Sequence, residues 1–148
     1  MDCTFDGELV QGAEYINGQY TYRYMQEYRL VGTARFSWRE IEQDGWGVAL
    51  TDLESTEPVT SKLCATINNK PIVSTSWMYV GSKATSIDLS SLDTSNVVNM
   101  AGMFYWNKSP ILDLSGFDIG KVKDMSQMFD AAETINVYVE SLWLVKIN

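Results

Sequence analysis

The sequence predicts an α+β protein: a small N-terminal antiparallel β-sheet followed by a short solenoid of about three 25-residue helix–strand units. Three observations predict it. Trp77-Met78-Tyr79, Gly102-Met103-Phe104 and Gln127-Met128-Phe129 recur 25 residues apart, with Ile72, Val97, Val122 and Ile147 in the same register. A recurrence of that length, with apolar residues at fixed offsets, marks stacked units that are each too small to bury a hydrophobic face alone. Ahead of the repeats, period-two patterning and the Asn17-Gly18 pair read as strands and a hairpin. Finally, 45% hydrophobic and 20% charged residues suit a packed core and not a disordered chain.

Residues 1–57 are expected to form the sheet unit. Tyr20, Tyr22 and Tyr24 alternate toward one strand face after the Asn17-Gly18 turn, with the partner strand running from Glu8 to Ile16. Tyr28 to Val31, Arg35 to Trp38 and Trp46 to Leu50 read as further strand. Residues 58–71 form a junction, in which 60–68 could be a short helix with Leu63, Cys64 and Ile67 on one face. Residues 72–148 hold the repeats. Val97, Met100, Met103 and Phe104, then Val122, Met125, Met128 and Phe129, sit at offsets 0, 3, 6 and 7, which fits one face of a two-turn helix. Asp93-Thr94-Ser95 supplies residues of the N-cap type ahead of the middle helix. Ile87-Asp88-Leu89 and Leu112-Asp113-Leu114 read as short strands with Asp88 and Asp113 facing outward. In the third unit Val137-Tyr138-Val139 takes that place, and 130–148 reads as a capping repeat.

The segments Asp93 to Phe104 and Leu112-Asp113-Leu114-Ser115-Gly116-Phe117-Asp118 resemble the bacterial-surface leucine-rich repeat family called BspA-like, with units of the form LDLSxFDTSxVTxMxxMF. The resemblance spans about 70–129. The run from Asp44-Gly45-Trp46-Gly47-Val48 to Lys70-Pro71-Ile72-Val73-Ser74 also looks like the leaders of such repeats in Gram-positive bacteria and their phages. This resemblance implies recognition and adhesion at a bacterial or virion surface, with no catalytic residues to carry over.

Composition narrows the function classes. Histidine is absent, which removes Ser-His-Asp and Cys-His catalysis and histidine metal sites. No enzyme activity and no cofactor are expected. Net charge is −8, and residues 1–60 carry eleven acids against four arginines, or −7. That balance disfavours direct nucleic-acid binding. No apolar run reaches the ~20 residues of a membrane span, so no membrane insertion is expected. Cys3 and Cys64 are too far apart for a CxxC motif and read more readily as two thiols than as a disulfide.

The expected partner is a protein or glycan surface. Candidate contact residues are the outward row Asp88, Asp113 and Tyr138, the aromatic set Tyr20, Tyr22 and Tyr24 with Tyr15, Trp38 and Trp46, and Trp106 just after the Met-Phe element. Core formation is the plainer role for most of the sheet aromatics and for the methionine stripe. The leading expectation is a recognition module of a bacterial surface or phage tail-associated protein. The alternative is a small acidic phage-encoded inhibitor that occupies a basic groove of a host nucleic-acid-processing defence enzyme. Location follows: cell surface or virion if the chain is part of a larger protein, host cytoplasm if it is complete.

Overall fold

A computed structural model of the chain describes residues 2–4, 10–11, 15–16, 20–29, 35–41, 45–60, 63–133 and 136–138. Two bodies of β-structure share one core. The first is a five-stranded antiparallel sheet of β2 (Val10–Gln11), β3 (Tyr15–Ile16), β4 (Tyr20–Arg29), β5 (Arg35–Ile41) and β6 (Gly45–Leu50). Its order is β2-β4-β5-β6, and β3 pairs with β4 beyond the Asn17-Gly18 position, which itself lies outside the described residues. On β5, Phe36 and Trp38 are fully buried, and Trp38 stacks on the partly buried Trp46 with centroids 5.5 Å apart.

The second body is a parallel stack of 25-residue units, here unit 1 (72–96), unit 2 (97–121) and unit 3 (122 onward). One column of single bridges runs through it: Gly47 pairs with Ser74, Ser74 with Asn99, and Asn99 with Asp124. Alternate amides of each unit donate to the next. Thr75, Trp77, Tyr79 and Gly81 N–H reach the carbonyls of Asn99, Ala101, Met103 and Tyr105 at 2.8–3.0 Å. Met100, Gly102, Phe104 and Trp106 N–H repeat this toward Asp124, Ser126, Met128 and Asp130 at 2.8–2.9 Å. Main-chain donors that would otherwise be buried without partners are thereby satisfied between layers.

These bonds overturn the expected α+β architecture of helix–strand units. The described residues contain no helix. Residues 74–82 and their equivalents form successive turns, closed by Met78 N–H to Thr75 O, Ser82 N–H to Tyr79 O, Met103 N–H to Met100 O and Asn107 N–H to Phe104 O. Two positions per unit take left-handed φ: Trp77, Gly102 and Gln127 at 58°, 62° and 58°, then Gly81, Trp106 and Ala131 at 65°, 58° and 56°. A left-handed residue every four positions stops right-handed helix propagation. Offsets 0, 3, 6 and 7 suit this turn train as well as a helical face, which is why the periodicity pointed to the wrong element. The helix expected over 60–68 is likewise absent among the described residues, where β8 (Thr66–Ile67) occupies its end.

Each unit turns its corners by one rule: a side-chain oxygen at position n accepts the amide of n+2. Ser74, Asn99 and Asp124 do so at 2.8–3.2 Å. Ser82 and Asn107 make the second corner, Asp88 and Asp113 the third, and Asp93 and Asp118 the fourth. These are Asx-type and Ser turns, in which a short polar side chain substitutes for a main-chain acceptor. Asp93 therefore closes a corner and does not cap a helix. Asp118 serves the equivalent turn although Gly120 stands where Ser95 stands in unit 1.

Inside the coil the layers match like with like. Tyr79, Phe104 and Phe129 stack at 5.6 and 5.8 Å with ring planes within 7°. Met78, Met103 and Met128 are buried beneath them, as are Met100 and Met125. β10 (Ile87–Asp88) pairs in parallel with β7 (Val59–Thr60), and β11 (Ile111–Asp113) with β12 (Asn136–Tyr138). The 25-residue register thus holds to Tyr138; residues 139–148 of the expected capping repeat, Ile147 among them, lie outside the described residues.

Residues 45–60 act as a partial layer ahead of unit 1. Val48 N–H donates to Ser74 O, Leu50 N–H to Met78 O, Lys83 N–H to Leu53 O and Thr85 N–H to Thr56 O. The approach at Gly47 is so close that a Cβ would stand 2.5 Å from Ser74 O. A separate sheet of β1 (Asp2–Cys3), β8 and β9 (Lys70–Pro71) sits beside this layer. There Cys3 and Cys64 form a disulfide across a sequence separation of 61, which replaces the two expected thiols.

Two stability predictions follow from this packing. Gly102 is left-handed, and any Cβ on it would collide with the Trp77 ring of the layer before. Gly102→Ala is expected to cost about 2–4 kcal/mol from overpacking and backbone strain together. Denaturant melts of a Trp77→Ala/Gly102→Ala cycle should show the double variant less destabilised than the sum. For the disulfide, loop-closure entropy gives about 4 kcal/mol. Cys3→Ser should lower the unfolding free energy by about 2–5 kcal/mol, and reductant should destabilise the wild type but not the variant.

Candidate functional site

The turn at 104–107 holds Trp106 in its left-handed third position, with φ 58°. Its neighbour Asn107 is fully buried and pins the turn: Nδ2 donates to Tyr79 O at 3.2 Å, and Oδ1 accepts Ser109 N–H at 2.8 Å. Ser109 Oγ in turn donates to Ala84 O of the previous layer at 2.8 Å. On this rigid base Trp106 is 55% exposed, the most exposed large apolar side chain among the described residues.

Trp106 forms one wall of an open cleft of about 290 Å³ lined also by Leu53, Glu54, Val80, Gly81, Lys83 and Lys108. Lys108 Nζ lies 5.1 Å from the Trp106 ring centroid, within cation–π range, and 2.8 Å from Glu133 Oε1. Lys83 Nζ pairs with Glu54 Oε2 at 2.6 Å. Lys83, Lys108 and Glu133 share one register position in successive units, so each ion pair ties one layer to its neighbour. The cleft combines an apolar floor with donors and acceptors on its rim. That composition suits reversible binding of a partly apolar, partly hydroxylated group.

The outward aspartates have a structural task. Asp88 and Asp113 are exposed, and each Oδ1 accepts both the amide and the hydroxyl of the serine two residues on, at 2.6–3.0 Å. In the ladders Asp113 stands opposite Tyr138 and Asp88 opposite Thr60, in two separate two-stranded sheets. The side chain of Tyr138 lies outside the described residues. So do those of Tyr15, Tyr20, Tyr22 and Tyr24. Their main chain is placed, and the β4–β5 register shifts between Tyr22 and Tyr24. Trp38 is core and Trp46 partly so, with Lys70 Nζ 5.7 Å from the Trp46 ring centroid. Among the described residues no group of three His, Cys, Asp or Glu side chains converges to hold a metal ion. No helix there is long and apolar enough to cross a membrane.

Sequence reasoning singled out Trp106 but missed its companions. Lys83 and Lys108 were visible as a 25-residue pair; Leu53 and Glu54, from the segment after β6, carried no periodic signal.

Fold and cleft together define the class: a parallel-stacked repeat protein with an aromatic surface cleft between its first layers. The chain belongs to the family described as "Mycoplasma protein of unknown function, DUF285", whose model matches residues 53–147. Every cleft-lining residue falls within the matched segment. No curated protein and no solved structure matches the chain.

The corner turns generate a pH prediction. Asp113 and Asp93 titrate below the usual carboxylate value, chiefly because the Ser115 and Ser95 hydroxyls donate to them and secondly because the same residues' amides do. Asp2 is lowered by the Thr66 hydroxyl first and the Asn69 amide next. A depressed folded-state value contributes stability above the unfolded value of about 3.9, and that contribution is lost as pH falls through the lower folded value. Thermal melts should therefore be nearly flat from pH 7 to about 5 and drop below about 4. Ser95→Ala with Ser115→Ala should flatten that acid limb.

Proposed function

We propose that this protein is a non-enzymatic recognition module whose Trp106 cleft contacts a glycan or protein on a cell surface. The observation that carries this reading is an exposed tryptophan on a turn pinned by the buried Asn107, in a cleft it shares with Lys83, Lys108 and Glu54. Solvent exposure of so large an apolar side chain, on a base this rigid, suits a contact residue, and tryptophan is enriched among the residues that dominate binding energy. The BspA-like resemblance of residues 70–129 supports the same class. The Cys3–Cys64 disulfide supports a location in an oxidising compartment such as a bacterial surface, since cytosolic thiols are kept reduced. It counts against the alternative of an inhibitor acting in the host cytoplasm.

Labelled protein applied to intact cells and to a glycan array tests the reading. Wild type should bind, and Trp106→Ala, an exposed position that leaves the core untouched, should bind about tenfold to thirtyfold more weakly, a loss of about 1.4–2 kcal/mol. Circular dichroism confirms that the variant is folded. Equal binding by both proteins would remove the cleft from the interface, and no binding by wild type to any surface would overturn the recognition reading.

A further inference from the structure

The cleft's chemistry narrows its ligand, granted the recognition reading above. We infer that the Trp106 cleft binds a single uncharged pyranose ring, such as a neutral hexose or an N-acetylhexosamine at a glycan terminus.

A pyranose has an apolar C–H face and a rim of hydroxyls that both donate and accept. The cleft presents the complement of each. Leu53, Val80 and the Trp106 ring supply an apolar surface against which a C–H face can pack. The volume of about 290 Å³ lies at the lower limit for small-molecule sites, on the order of 300 Å³, and so suits one ring better than an extended chain.

The rim charges argue for neutrality. Lys83 and Lys108 are each already within 2.8 Å of a carboxylate, Glu54 and Glu133. Each ammonium has three donors, so its ion pair leaves donors over, and each carboxylate keeps free lone pairs. At Lys83 and Glu54, which both line the cleft, a vicinal diol can accept from the ammonium and donate to the carboxylate without breaking the pair. A uronic or sialic acid fits less well, because its carboxylate would share a lysine with Glu54 or Glu133 and stand like charge beside like charge. It would also meet the field of a chain whose net charge is −8. A nucleotide meets the same obstacle through its phosphates. A peptide strand would require a longer groove than the seven residues lining this cleft provide.

The test is saturation-transfer NMR and tryptophan fluorescence with methyl pyranosides of neutral hexoses and N-acetylhexosamines, each set beside its uronic acid or sialic acid counterpart. Neutral sugars should bind with salt-independent, millimolar affinity, with transfer strongest at the C–H face. Trp106→Ala should weaken this at least tenfold, and acidic counterparts should bind at least fivefold more weakly. Tighter, salt-sensitive binding of the acidic sugars would overturn the neutral class. If no sugar binds while Trp106→Ala still reduces cell-surface binding, the saccharide assignment falls and the recognition reading stands, with a protein as partner. Sugar binding indifferent to Trp106→Ala would remove the ring from this cleft.

Discussion

Each unit gives its alternate main-chain amides to the unit that follows, and the rest of the structure depends on that exchange. Eight such bonds, from Thr75 to Gly81 and from Met100 to Trp106, run between layers at 2.8–3.0 Å. They fix the axial spacing and the register at once. With the register set, identical positions must sit above one another, so Tyr79, Phe104 and Phe129 become a stacked column and the methionines a second one. The exchange also dictates turn chemistry. A segment whose amides point along the stack cannot bond to its own i−4 carbonyls, so it needs other means to reverse direction. Left-handed residues and side-chain oxygens at the corners supply them.

Stacking imposes a rule on size as well. Where one layer places a tryptophan at a left-handed position, the adjoining layer places a glycine. Trp77 lies on Gly102, where any Cβ would collide with its ring, whereas Trp106 faces Gly81, where a Cβ would make ordinary contact at 3.6 Å from Trp106 Cε3. The two rings differ in fate because of their depth. Trp77 is enclosed, with Tyr105 against its edge at 5.4 Å, and serves the core. Trp106 stands exposed at the surface, where Leu53 and Glu54 of the layer ahead of unit 1 line the same cleft.

Much of this was legible beforehand because periodicity reports which residues share an environment. The aligned Ile72, Val97 and Val122 are all buried, as are Leu89 with Leu114 and the methionines. The strand at 136–138 was placed by register alone, without its aspartate. Trp106 stood out because it occupies a position its sister units fill with Gly81 and Ala131. Helix was misread for a physical reason: backbone handedness leaves little trace in hydropathy, and only Gly81 and Gly102 hinted at positive φ where Trp77, Trp106, Gln127 and Ala131 adopt it too. Asp88 and Asp113 were expected to face outward, and both are exposed. Their pairing with Ser90 and Ser115 was written in each Asp-Leu-Ser triplet, and it marks corners.

By itself, the sequence determined the 25-residue register, the identity of the core columns, the acidic bias of the N-terminal part and the lack of histidine chemistry. Those are properties of residue type and spacing, which do not need a fold to be read. Tertiary structure alone decided that the units are turns and short strands, that Cys3 meets Cys64, and that Leu53 and Glu54 come to stand beside Trp106. Each depends on contacts between residues far apart in the chain, and no local pattern can encode which of the hydrogen-bonding solutions open to a segment its neighbours will complete.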